Sequence, residues 1–210
     1  TTTGVRNYPA AEEARGLEID KCSREAADLH VDSTLGRFVQ NVGPDLFKRT
    51  FTHYFIDSYE AGCQNWSPCL PREFAKRRGY DLRFWLPAMT GRIVGSLDES
   101  RRFLWDLRRT VADCYADNFY GRFAERARGF GIDGSSEAYG GPFDFVQCGG
   151  RGALPLTEFW CEDSVGSDKR VFAPVSSGHL YGQRVIGAEA FTSGSLLWQQ
   201  HPGSLKALGD

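Results

Sequence analysis

Four short strand candidates, one of them (Gly131 to Ser136) weak in β-branched residues, run into glutamates, and that recurrence constrains the fold more than any other feature. Tyr54-Phe55-Ile56 leads to Asp57, Ser58, Tyr59 and Glu60; Gly131 to Ser136 leads to Glu137; Leu154 to Thr157 to Glu158; Val185 to Ala188 to Glu189. Apolar runs this short read as strands buried on both faces, and long amphipathic segments separate several of them. The alternation predicts an α/β fold with parallel strands. In such folds the residues just past the carboxyl ends of the strands converge on one shallow bowl, where chemistry is kept. The bland alternative is that each glutamate is merely exposed and Asp57 caps a turn.

The helices are signalled by their caps. Ser23 predicts an N-cap for a helix running past Phe38, stopped by Gly43-Pro44. Pro71 predicts the opening of a short helix that Gly79 closes. Ser96-x-x-Glu99 is a capping box before the longest helix, whose stripe Phe103, Leu107, Val111, Tyr115, Phe119 and Phe123 keeps helical spacing up to Gly129. Leu82 to Pro87 reads as one more short buried strand, and Pro174 as the start of a helix carrying His179 and Tyr181. Pro202 to Asp210 reads as the start of a last helix. About five strands are visible where eight close a barrel, and no dinucleotide fingerprint is present. The expectation is a (β/α)₈ TIM-type barrel, incomplete here, with residues 1–210 forming part of a single catalytic barrel domain.

Composition excludes some classes. The net charge of −2 favours neither nucleic acid nor an anionic membrane, and no apolar stretch approaches the length of a membrane span. The six cysteines lack metal-binding spacing and read mostly as buried thiols, with one or two disulfides an alternative in a secreted protein. The glycine-rich stretch around Gly149-Gly150-Arg151-Gly152 lacks a phosphate-loop pattern and reads as a loop. Aromatic residues make up 13% of the chain, enough to line a sugar site as well as a core. Carboxylates crowded among tyrosines and tryptophans repel one another unless one is protonated or a cation is held. They are the ingredients of glycoside hydrolysis, which needs one acid, one base or nucleophile, and a rim for the sugar.

A series of motifs runs along the chain: Gly16-Leu17-Glu18, Asp20-Lys21 with Ser23, Ile56-Asp57-Ser58-Tyr59-Glu60, Gln64-Asn65-Trp66 and Phe74. Arg77-Arg78-Gly79-Tyr80-Asp81, Leu86-Pro87, Glu137 with Tyr139-Gly140, Glu158-Phe159-Trp160, His179 with Tyr181-Gly182, and Ala188 to Ser193 follow. These motifs, in this order, resemble the glycoside hydrolase family 106 α-L-rhamnosidases. The resemblance implies a (β/α)₈ catalytic domain in a much longer parent chain with added β-sandwich modules absent here. It also implies calcium dependence and inverting cleavage of terminal α-L-rhamnose from plant polysaccharides or glycosides. On the matching motifs, Glu60 takes the role of general acid and Glu189 that of general base. Glu158 is the third catalytic candidate, either as the true partner or as a group that positions water. Asp57, Trp66, Glu137, Tyr139, Trp160 and His179 are candidate substrate-binding residues, and the calcium ligands are unassigned. The expected partners are a carbohydrate and the remainder of the parent chain, in an extracellular or periplasmic setting. The competing readings are a non-catalytic carbohydrate-binding barrel and an inactive fragment of a larger glycosidase, since an open barrel exposes strand edges.

Overall fold

A computed structural model describes residues 4–7, 10–161, 169–194 and 198–209. Four strands, β1 (His53–Ile56), β2 (Asp133–Ser136), β3 (Leu154–Trp160) and β4 (Gly187–Thr192), form one sheet in sequence order, every neighbouring pair parallel. Parallel neighbours require crossovers, and here helices supply them. The α/β reading therefore holds, as a four-stranded parallel sheet.

The capping signals place the helices well. The side chain of Ser23 accepts from the Ala26 N–H at the start of α1 (Arg24–Val31), which continues through a π turn (Asp32–Gly36) into α2 (Arg37–Val42). Gly43 ends this run with φ of 81°, and Pro44 at once opens α3 (Pro44–Thr50). Next comes α4 (Leu70–Arg78), closed by left-handed Gly79. The Ser96–Glu99 capping box starts α5 (Leu97–Cys114), which passes through a second π turn (Tyr115–Tyr120) into α6 (Gly121–Gly129). Its stripe of Phe103, Leu107, Val111, Tyr115, Phe119 and Phe123 is buried, as the spacing predicts. Short α7 (Phe145–Gly149), then α8 (Lys169–Tyr181) and α9 (Pro202–Gly209) complete the described elements.

Two expectations fail. The segment predicted as a strand at Leu82–Pro87 is a 3₁₀ helix, Leu82–Thr90, capped by the side chain of Asp81 accepting from the Arg83 N–H. Its inward residues recur every third position: Leu82 and Ala88 are buried, and Trp85 stacks on Phe103 at 6.1 Å between ring centroids. Three-residue spacing is the 3₁₀ period, and Pro87 could not have donated to a sheet. Pro174 lies inside α8 rather than opening it. All six cysteines are free thiols, three of them buried.

Register decides which side chains share a face, because successive residues of a strand point to opposite sides. One face of β1 meets the helices: Tyr54 stacks on Phe123 of α6, with centroids 5.7 Å apart and the rings nearly parallel. Residue 55 and, one step beyond the strand, Asp57 take the other face. Ile56 pairs with Ser136, so Asp57 and Glu137 come level. Ser136 pairs with Pro155, so Glu137 is level with Leu156 and Tyr139 with Glu158. Glu158 pairs directly with Glu189. Asp57, Glu137, Glu158 and Glu189 thus belong to the face away from the helix layer.

Candidate active site

The glutamates do not all stand at strand ends. Glu137 directly follows β2, but Glu158 and Glu189 lie within β3 and β4, and Glu60 comes four residues after β1. What Glu137, Glu158 and Glu189 share, with Asp57, is a face of the sheet. Carboxylate oxygens of Asp57, Glu137 and Glu189 all lie within 4.8 Å of one another.

Glu137 is the buried centre of this group. It has no exposed surface; its Oε2 accepts a 2.7 Å hydrogen bond from the Tyr139 hydroxyl, and its Oε1 has no hydrogen-bond partner among the described residues. Burial pushes its carboxyl up to about 7, the charges of Asp57, Glu189 and Glu158 push the same way, and the Tyr139 hydrogen bond works against them. The phenol of Tyr139 is raised in turn, by burial first and then by Glu137 and Glu158. Glu189 is half-buried, and its Oε1 accepts from the Thr192 hydroxyl at 2.6 Å.

Glu60 belongs to a different environment. It is exposed, its Oε1 accepting from Ser58 Oγ at 3.1 Å, and it lines a cavity of about 360 Å³ beside Asp57. The loop that carries it is fixed at both ends. Tyr59 donates its backbone N–H to the Tyr139 carbonyl (3.3 Å), tying the segment after β1 to the one after β2. Gly140 makes that approach feasible: with φ of 84°, any Cβ there would lie 2.8 Å from the Tyr59 carbonyl oxygen. Tyr59 Oη also donates to the Gly62 carbonyl (2.6 Å) and lies 2.7 Å from Tyr115 Oη. Gln64 extends the lattice, donating to Asp20 Oδ1 (2.7 Å) and accepting from the Lys21 N–H (3.2 Å).

The other sequence candidates fall around this group. Trp160 ends β3 opposite Thr192 and is half-buried. Trp66 is partly exposed, its carbonyl accepting from Gln64, and it is not among the residues lining the Glu60 cavity. His179 is exposed in the last turn of α8, in the helix layer. Residue-by-residue reasoning missed Glu18 and Lys21, which line the Glu60 cavity. Only their place in a motif marked them.

The profile described as alpha-L-rhamnosidase, glycoside hydrolase family 106, matches residues 1–210. The chain belongs to this family. A protein of Formosa agariphila named "Putative beta-glucuronidase" is 40% identical over 210 residues, all of this chain and 18% of that protein. The solved structure of a rhamnosidase from Novosphingobium sp. PP1Y superimposes with a TM-score of 0.87 at 34% identity, covering 98% of this chain and 20% of that one. The chain thus spans about a fifth of the length of either relative. The motifs that carried the family resemblance lie across β1, β2, β3, β4 and their loops, which is why a fifth of the protein suffices to place it in the family.

Proposed function

We propose that the parent enzyme hydrolyses glycosides ending in α-L-rhamnose, with inversion, and that this chain supplies acidic groups of its catalytic centre. The observation that carries the reading is the split among those groups: three are clustered, while Glu60 stands apart on a cavity wall. Inversion needs two carboxyl groups about 6.5–9.5 Å apart, leaving room for the sugar and a water. Asp57, Glu137 and Glu189, with oxygens within 4.8 Å, are too close to span a sugar ring as an acid–base pair. One partner must therefore come from outside the trio, and Glu60 is the exposed carboxyl on the adjoining cavity.

Glu60, protonated, gives its proton to the departing glycosidic oxygen. Glu189, oriented by the Thr192 hydroxyl, takes a proton from the water that attacks the anomeric carbon from the opposite side. Glu158, paired with Glu189 across the two strands, positions that water or serves as the base in its place. The all-oxygen cluster, including a buried Glu137 oxygen with no partner among the described residues, fits a hard cation such as calcium, with Asp57 and Glu137 as its protein ligands beside Glu189. When bound, calcium would neutralise part of the carboxylate crowd and bind neighbouring sugar hydroxyls. Trp160, at the end of β3, offers a face for the ring. The four strands are then part of a (β/α)₈ barrel that the rest of the parent chain closes.

The test is to assay the parent enzyme on an aryl α-L-rhamnoside and an aryl β-D-glucuronide, each with and without a chelator. Turnover of the rhamnoside, lost on chelation, is the expected result. Turnover of the glucuronide alone would transfer the reading to the activity named for the Formosa relative.

A further inference from the structure

The cavity beside Glu60 has a second wall that the reaction as described does not use. Lys21 lines this cavity although it is only 5% exposed. It is ion-paired with Glu18 and held over two aromatic rings, 5.5 Å from the centroid of Tyr59 and 5.3 Å from that of Phe119. The backbone N–H of Lys21 donates to Gln64, so the pair is pinned to the loop that carries Glu60. A buried ion pair adds little to stability that well-packed apolar residues would not also give. Here it sets a fixed donor and a fixed acceptor in the wall of a hollow of ligand size.

An independent observation points the same way. Tyr120 lines the same cavity, is 2% exposed, and its Oη has no hydrogen-bond partner among the described residues. Buried hydroxyls are ordinarily paired, so this one calls for a partner that the described residues do not supply. Phe119 and Tyr120 both come from the π turn that interrupts the long α5–α6 helix, a distortion frequent at functional sites.

We propose that Glu18, Lys21 and Tyr120 form the specificity-determining wall of the sugar site, reading adjacent hydroxyls of a neutral monosaccharide whose apolar side rests near Phe119. Glu18 accepts from one hydroxyl, the Lys21 ammonium and Tyr120 donate to others, and the sugar stays oriented toward Glu60. Because Glu18 already neutralises Lys21, a uronate carboxylate would have to displace it, which disfavours acidic sugars here. This inference rests on the glycosidase reading above and adds which residues choose the sugar.

The experiment uses the full parent enzyme and its Glu18→Gln, Lys21→Met and Tyr120→Phe variants. The readouts are KM and kcat on an aryl α-L-rhamnoside, the Kd of free L-rhamnose, and the Tm. Loss of a charged hydrogen bond predicts KM and Kd raised about tenfold in Glu18→Gln and Lys21→Met, and loss of a neutral one about threefold in Tyr120→Phe. In each, kcat should change less than KM. Tyr120→Phe removes a hydroxyl that no described protein group engages, so its Tm should stay unchanged, and it remains decisive even where the other variants fail to fold. Unchanged KM and Kd in Tyr120→Phe, or a lowered Tm with KM retained in the charged-pair variants, overturns the proposal. If the wild type neither hydrolyses nor binds rhamnose, the functional reading fails separately. Binding of a panel of neutral monosaccharides then decides the wall: an affinity that Tyr120→Phe weakens upholds it, and no binding at all overturns it.

Discussion

Glu137 and Glu60 follow neighbouring strands of one sheet, yet their surroundings differ in almost every respect. Glu137 is sealed from solvent among other carboxylates, its proton held up to about pH 7 by burial and by their charge. Glu60 stands in the open on a cavity wall, its carboxylate accepting from the Ser58 hydroxyl. A buried acidic cluster without a cation is an electrostatic burden, whereas an exposed carboxyl costs the fold little. The difference teaches that acids after neighbouring strands divide by burial: Glu137 is sealed, whereas Glu60 and Asp57 stay exposed on the cavity, and the reading proposed above gives Glu60 the leaving group.

That division can be broken most directly at the chemistry. In the parent enzyme, Glu60→Gln and Glu189→Gln should each lower kcat about a thousandfold on the aryl rhamnoside, with the Tm of Glu60→Gln unchanged. Retained activity in both would remove the assignment. Glu137→Gln should act chiefly on stability and cation affinity. Between its ordinary 4.5 and its raised value of about 7, Glu137 binds a proton that the unfolded chain has released. The folded state therefore loses stability as pH rises through that window, by at most about 3 kcal/mol, and regains none above it. Measured in chelator at pH 8, Glu137→Gln should melt higher than wild type, while calorimetry should find weaker calcium binding.

Smaller effects sharpen the same contrast. Thr192→Val removes the hydroxyl that orients Glu189, and kcat should fall about tenfold while KM holds, as steady-state kinetics would report. Tyr139→Phe removes the hydrogen bond that opposes the rise of Glu137. Its Tm-against-pH curve in chelator should shift to higher pH than that of wild type.

Much of the helix layer was legible in the letters because its signals are local. Ser23, Gly43, Gly79 and the Ser96–Glu99 box mark boundaries by groups only a turn apart, and the stripe from Phe103 to Phe123 records its own burial. Leu82–Pro87 misled because five or six apolar residues fit a strand or a three-fold turn equally well until Asp81 is seen to cap it. The acidic residues were individually visible as well, and so was their gathering at one end of the sheet. Their division into a close trio around buried Glu137 and a separate Glu60 was not.

The sequence by itself determined the alternation of helix and strand, the family, and which carboxylates to watch, since these depend on residue type and short spacing. Tertiary structure alone decided that Asp57, Glu137 and Glu189 meet within 4.8 Å, and that Glu18 and Lys21 line one cavity with Glu60. Strand register and the packing of the π turn set those distances. Both arise from contacts between residues 31 to 96 positions apart, which no local pattern encodes.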